Sequence, residues 1–349
     1  MTAVADRLEG RRVLVTGASG FLGRHVCARL REERADLHLV SRMPRTSTDP
    51  SVRWWQADLE DLEATRKLMV WVKPETVLHF GGLVNGAPDM ALVVPTFHSL
   101  VTSTVNLLMA AAETGCRRVV LVGSLEEPDA VLADVSPRSP YGAAKLAMRI
   151  YGRLFDRLFG LPVVVIRLHM TYGPGQAHWK LIPSTILSLL KGEAPRVSSG
   201  LRELDWVYVD DVVEGLLLAA SARDLGGQAF DLGSGRLTPL REIVHRLVDQ
   251  VAPGTEPVFG ALSDRPRATE RPADLERTRA VIGWAPTTSL DEGLKLTVEW
   301  YRRDLEGRRR DGGASGDPAS HLIEVSRLAR EGVTYEGRTV LRRPRHAAP

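Results

Sequence analysis

Arg12-Val13-Leu14-Val15-Thr16-Gly17-Ala18-Ser19-Gly20-Phe21-Leu22-Gly23 decides the fold. Val13 to Val15 form an apolar, β-branched-rich run that suits a strand buried on both faces. Gly17, Gly20 and Gly23 follow at three-residue spacing, and His25-Val26-Cys27-Ala28-Arg29-Leu30 then repeats its apolar residues at a helical period. A strand, a glycine turn and a helix start in this order predict a nucleotide site. The glycines let backbone approach a pyrophosphate, while the first helical N–H groups and the helix dipole stabilise its charge. The cofactor is therefore expected over Gly17, Ser19, Gly20, Phe21, Leu22 and Gly23.

Working outward from that turn, Asp36 to Val40 reads as a second strand, followed by Ser41-Arg42. An acidic residue at this place accepts bonds from the adenosine ribose, whereas an Arg accommodates a 2′-phosphate. Ser41 and Arg42 thus favour NADP over NAD. A third strand, Val52 to Leu59, places Asp58 and Leu59 where the adenine can be met. Helix 61–71, ended by Pro74, leads to the strand Glu75 to Phe80, whose carboxyl end carries Gly81-Gly82. Ligands of open parallel sheets bind at that end, so Phe80, Gly81 and Gly82 join the cofactor set. His79 reads as a packed core histidine.

Helix 98–114, strand 118–124 ending in Ser124, a Pro-rich loop 128–140, helix 141–159 and strand 163–168 continue the alternation. Alternating strands and helices predict an α/β fold, a doubly wound parallel sheet of the Rossmann type with right-handed crossovers. After Tyr172-Gly173-Pro174-Gly175 the rhythm loosens: helix 181–191, strand 206–209, helix 211–221, strand 229–233, helix 237–250, a loop from Pro253 to Pro272, and helices 275–282 and 290–305. Expected domains are residues 1–170 for the dinucleotide and 171–305 for the substrate, with a smaller α/β region in the second. An Arg/Gly-rich tail, 306–349, holds at most a short helix near Leu322–Leu328.

The 349 residues carry a net charge of +3, spread along the chain until its C-terminus, which predicts no nucleic-acid groove. Cys27 and Cys116 are too few for a disulfide framework and lack metal-site spacing, so no metal is expected and a reducing cytoplasm is. No apolar run approaches about 18 residues, and the N-terminus lacks the apolar core of a signal peptide, so no membrane partner is expected.

Tyr141-Gly142-Ala143-Ala144-Lys145 puts a phenol and an ammonium on one helix face, in the only tyrosine–lysine pair of the chain at this spacing. The positive charge is expected to lower the phenol pKa. A tyrosine so tuned exchanges a proton with an alcohol or carbonyl oxygen while hydride moves to or from a nicotinamide. Ser124, at a strand's carboxyl end, can hold the same oxygen.

With these residues on the page, the chain resembles the extended short-chain dehydrogenase/reductase family, in its nucleotide-sugar epimerase/dehydratase/ketoreductase branch. Thr16 to Gly23, Ser124, Tyr141 and Lys145 carry the resemblance, with Tyr172-Gly173-Pro174-Gly175-Gln176 and Asp205 to Val212 as further blocks. It implies Tyr141 as acid/base, Lys145 also on the nicotinamide ribose, and Ser124 orienting the sugar oxygen. It implies a nucleotide-diphosphate sugar substrate, met by Ser124, Glu126, Lys180, Leu181 and, at its diphosphate, Arg271. It also implies a homodimer through helices 98–114 and 141–159.

The departures are informative. Family dehydratases carry Asp-Glu after the catalytic Thr; Leu125-Glu126 stands here, which argues against dehydration. Leu204 replaces a frequent Arg, for which Arg202 can substitute, and Met170 replaces a frequent Asn. Together with Ser41-Arg42, these residues favour an NADPH-dependent reductase acting on a keto group, C4 by preference, of a nucleotide-linked deoxysugar. The alternatives are a nucleotide-sugar 4-epimerase with retained NAD and, further off, a non-catalytic NADP-binding redox sensor.

Overall fold

A computed structural model describes residues 8–127, 136–264 and 271–310. Its strands are β1 (Arg12–Thr16), β2 (Asp36–Ser41), β3 (Val52–Gln56), β4 (Thr76–His79), β5 (Arg118–Ser124), β6 (Val163–Leu168), β7 (Met170–Tyr172), β8 (Glu203–Tyr208), β9 (Ala229–Leu232) and β10 (Leu237–Pro239). Its α-helices are α1 (Phe21–Glu32), α2 (Leu62–Val72), α3 (Val93–Thr96), α4 (Ser103–Glu113), α5 (Pro140–Phe159), α6 (Leu181–Leu190), α7 (Val209–Ser221), α8 (Leu240–Val251), α9 (Leu275–Ile282) and α10 (Leu290–Arg310).

Seven strands form a parallel sheet in the order β3-β2-β1-β4-β5-β6-β9, as the alternation predicts. The order reverses between β1 and β4, and an open α/β sheet binds its ligand outside the carboxyl ends at such a switch point. Alternate side chains of each strand enter opposite layers. Val13 and Val15 join the apolar layer beneath α1 and α7, while Leu14 joins the layer built with Leu68 of α2 and Leu107 of α4. A smaller mixed sheet, β10-β8-β7, lies beyond β6.

Local chemistry sets the helix ends. Asp61 caps α2 by accepting from the Glu63 and Ala64 N–H groups, and Lys73 closes it at φ +45° before Pro74. Ser139 caps α5 through the Gly142 N–H, Pro140 occupies the first turn, and Gly160 ends the helix at φ +64°.

The differences from the sequence reading have local causes. The third strand stops at Gln56 rather than Leu59, because Asp58 Oδ1 accepts from the Glu60 N–H and turns the chain. The helix expected from residue 98 begins as a 3₁₀ turn at Met90–Leu92 and contains a π-helical stretch, Phe97–Thr102. There the Ser103 and Thr104 hydroxyls bond back to the carbonyls of Ser99 and Leu100, which competes with regular helix bonding. β7 and β10 have three residues each, too few for a periodic signal; their pairing with β8 makes them strands.

Contrary to the expectation that no apolar stretch is long enough, the helical run Met90–Glu113 would span a membrane by length and composition. Half of its apolar window is buried, and Leu107 and Leu108 are fully enclosed against the sheet, so it is a core helix. α10 continues past the expected end to Arg310. The remainder of the expected tail and residues 128–135 and 265–270 of the two Pro-rich loops lie outside the described residues.

Candidate active site

The first turn of the cradle is made by glycine because nothing else fits. Gly17 has φ +66°, and a Cβ there would lie 2.7 Å from the Gly81 N and Phe80 C atoms. A Cβ on Gly23 would lie 2.2 Å from the Gly17 carbonyl oxygen. The β1–α1 turn therefore presses against both the β4 turn and its own helix. Gly20 caps α1 with no side chain over the first-turn N–H groups. Ser19 and Gly20 are exposed, and Phe21 and Leu22 half-buried, so this backbone surface suits the pyrophosphate of a dinucleotide.

An uncharged chain of hydrogen bonds holds the two turns together. Thr104 Oγ1 donates to the Leu100 carbonyl, so it must accept from His79 Nε2 at 3.1 Å. His79 Nδ1 then accepts from Thr16 Oγ1 at 2.7 Å, and Thr16 Oγ1 accepts from the Gly81 N–H at 3.1 Å. The network assigns the tautomer. Burial, with the nearby Lys145 charge, holds His79 down at about 3, so the ring is neutral. The core reading of His79 stands, with a role in joining Gly81 to β1 and α4.

At the adenosine end, Ser41 and Arg42 lie beside the end of β3, since Ser41 pairs with Gln56. The Ser41 hydroxyl accepts from the Met43 N–H, and Arg42 is exposed with its carbonyl accepting from Gln56 Nε2. Asp58 is exposed nearby, while Leu59 is buried and its carbonyl accepts from Asn106 Nδ2 at 2.9 Å.

Ser124 ends β5, Tyr141 opens α5 and Lys145 follows one turn later, all three buried. The Ser124 side chain lies close enough to Tyr141 to pull its pKa down. Lys145 Nζ lies 5.7 Å from the Tyr141 ring centroid and donates to the Val122 carbonyl at 2.6 Å. Here the expectation of an acidified phenol is corrected. Burial raises the Tyr141 pKa above its ordinary value, and the nearby Ser124 side chain offsets this only in part. Lys145 is instead the shifted cation, brought down by burial to about 8 against the opposing pull of Glu127.

Glu126 stands beside this pair: its N–H donates to Ser124 Oγ, and its Oε2 accepts from Ser139 Oγ at 3.3 Å and packs on Gly86. Lys180 caps α6 and Leu181 begins it, both half-buried. Arg202 is half-buried just before β8, its carbonyl accepting from the Leu240 N–H. Arg271, expected at a diphosphate, donates to Asp231 Oδ2 at 3.2 Å and remains 39% exposed.

Two charged clusters escaped the sequence reading. In one, Asp231 is fully buried and accepts from Arg167 Nε at 2.6 Å, with His169 and Arg271 on its other oxygen. In the other, Glu127 faces Arg149. Their members lie far apart in sequence or read individually as ordinary helix and loop charges, so no spacing announces them. A cavity of about 570 Å³ lined by Arg11, Glu75, Arg118 and Asp156 opens at the amino ends of the strands, the edge opposite to where the candidate side chains meet.

Residues 13–233 match the model of the NAD dependent epimerase/dehydratase family. The chain belongs to this family. Among its relatives is a UDP-glucose 4-epimerase of Mycolicibacterium smegmatis, 31% identical over 83% of this chain and 98% of that protein. Another is a dTDP-D-glucose 4,6-dehydratase of Mus musculus, 27% identical over 84% of this chain and 90% of that one. The structure of MoeE5 in complex with UDP-glucuronic acid and NAD matches with a TM-score of 0.74 and 32% identity, covering 84% of this chain and 99% of the other. The epimerase/dehydratase relatives thus act on nucleotide sugars. The expected preference for NADP draws no support from MoeE5, which holds NAD.

Proposed function

We propose that this enzyme is a nucleotide-sugar 4-epimerase: it oxidises C4 of a nucleotide-diphosphate sugar and reduces it again from the other face. The observation that carries this reading is the meeting of buried Ser124 and Tyr141 at the carboxyl edge of the sheet, with Lys145 buried beside them and donating to the Val122 carbonyl. The epimerase and MoeE5 similarities support it. A dinucleotide whose pyrophosphate is held by the glycine cradle would supply the hydride acceptor and donor through its nicotinamide. Tyr141 takes the C4 hydroxyl proton and later returns it, and Ser124 holds the same oxygen. Burial keeps the Tyr141 phenol protonated in the free site, so deprotonation belongs to the liganded site. Leu125 offers no acid for losing a sugar hydroxyl, which sets the reading apart from dehydration.

Ser41 and Arg42 favour a second reading, an NADPH-dependent ketoreductase using the same Tyr141 on a C4 keto group of a deoxysugar. Purified protein separates the two. Retained NAD and interconversion of UDP-sugar C4 epimers without net cofactor change support the epimerase. Stoichiometric loss of NADPH with a 4-keto nucleotide sugar supports the reductase. In either case Tyr141→Phe is expected to lower turnover by about 10²- to 10⁴-fold; unchanged turnover in that variant overturns both.

Ile150, Leu154 and Leu158 of α5 are exposed apolar residues on a helix that the resemblance assigns to a dimer, and Val93, Val94 and Phe97 are exposed on the helical run just before residue 98, where the other begins. A homodimer through these helices is the expected assembly, read by light scattering. The two free cysteines fit the cytoplasm we assign to it.

A further inference from the structure

Three consecutive residues at the end of β5 are gripped from two sides. The Val122 carbonyl accepts from Lys145. The Ser124 N–H donates to Glu127 Oε1 at 2.7 Å. Between them, Gly123 gives Glu127 its space: a Cβ there would lie 2.3 Å from Oε1. The Glu127 side chain is 0% exposed, and its Oε2 lies 3.4 Å from Arg149 Nε. Arg149 follows Lys145 by one turn of α5, so both cations face the same strand end.

A fully buried carboxylate is unfavourable unless paired, and an apolar side chain of this size would fill the space at less expense. The charge at this point therefore calls for a use. We propose that Glu127 is a positioning residue of the active site, its buried carboxylate fixing the Ser124 main chain and, balanced by Arg149, placing a negative charge beneath the strand end that Lys145 grips. The proposal rests on the reading of Ser124, Tyr141 and Lys145 as the catalytic group.

The electrostatics agree with this geometry. Burial lowers Lys145 to about 8 and Glu127 pulls it upward. Burial outweighs the other influences and leaves Glu127 above its ordinary value, while Arg149, the Ser124 N–H, Lys145 and Arg167 of β6 work to keep it charged. The other groups around Lys145 are Tyr141 on its own helix and His79 of β4, which is neutral. Without the Glu127 charge, more of the Lys145 population is neutral at physiological pH.

The test uses the full chain labelled with lysine carrying ¹³C at Cε. The chain has six lysines, at 67, 73, 145, 180, 191 and 295, and Lys145 is the one that is buried. Its resonance, assigned by its loss in Lys145→Met, is expected to titrate near 8. Glu127→Gln keeps an oxygen for the Ser124 N–H and removes the charge, so the midpoint should fall by about one pH unit. Arg149→Met removes the largest charge that keeps the Glu127 carboxyl ionised, so the midpoint should fall here as well. If one variant does not fold, the other carries the test alone. An unmoved midpoint, or a shift of the opposite sign, overturns the proposal. In active protein the pH profile of turnover should move with the midpoint, which a purely structural role would not produce. A shifted midpoint in protein inactive on every nucleotide sugar sinks the proposed function and leaves the electrostatic role of Glu127 standing. Active protein with an unmoved midpoint does the reverse.

Discussion

The two halves of the carboxyl edge are built in different ways. Beside β1 and β4 the structure relies on backbone, glycine and the uncharged chain Thr16–His79–Thr104. Beside β5, β6 and β9 it relies on buried ions, Lys145, the Glu127–Arg149 pair and Asp231 with Arg167, to which the partly exposed Arg271 adds. The first half suits a ligand that brings its own negative charge. A buried carboxylate there would repel a pyrophosphate, whereas N–H dipoles and a neutral imidazole do not. The second half suits a site where a proton changes hands, because fixed ions in a dry environment set which group holds it.

The comparison is broken most strongly at Asp231. Asp231→Ala should destabilise the fold by about 3–5 kcal/mol, because it leaves Arg167 buried without its partner; chemical denaturation measures this. Arg271 contributes less, since it is partly exposed and screened. Burial alone would push the Asp231 pKa up, but the nearby His169 ring and the two guanidinium charges hold it below the ordinary carboxylate range. The folded state therefore keeps this proton off at pH values where the unfolded chain binds it. That part of the stability is present above the unfolded carboxylate value near 4 and is lost as pH falls through the lower folded value. The variant's melting temperature should depend less on pH in this acid range than the parent's.

In the neutral half the largest effect is expected at Gly17. Gly17→Ala puts a Cβ at positive φ and into the Gly81 backbone, which should cost about 2–4 kcal/mol. Cofactor affinity should fall with it, since the two turns can no longer approach. Full NAD affinity in a folded Gly17→Ala protein would show that the cradle tolerates a wider gap than its geometry implies.

The same contrast explains what could be read from the chain. The cradle is local: Gly17, Gly20 and Gly23 sit within seven residues of one another, and the steric demand at each is a property of the turn itself. The sheet was legible for the same reason, since each buried strand is a short apolar run. Tyr141 and Lys145 were legible because a helix brings residues four apart onto one face. Their electrostatics were not, because the Tyr141 pKa is governed by burial, which depends on chain from β5 and the helical run before α4. Glu127 and Arg149 are separated by 22 positions, and nothing in either neighbourhood shows that a strand-end glycine will make room for their contact. Arg271 was assigned by motif to a diphosphate, but its contact with Asp231 arises only when β9 docks beside β6.

The smallest effect sharpens the comparison, because it asks whether the neutral chain acts as a unit. Thr104→Val leaves the His79 Nε2–H buried without an acceptor and should destabilise by about 1–2 kcal/mol, while Thr104→Ser keeps the oxygen and loses little. Thr16→Val releases the Gly81 N–H at the cofactor turn as well, so it should weaken NAD binding where Thr104→Val does not. The ring adds a pH signature of its own. His79 stays neutral in the folded protein down to about 3, whereas the unfolded chain protonates near 6.5. The unfolded state thus binds the extra proton, and this part of the stability falls as pH drops from about 6.5 toward 3. His79→Leu removes that contribution, so the stability difference between parent and variant should shrink across this window. A difference that stays constant with pH would mean that the folded imidazole takes up its proton as readily as the unfolded one, and the two halves of the edge would then no longer differ in kind.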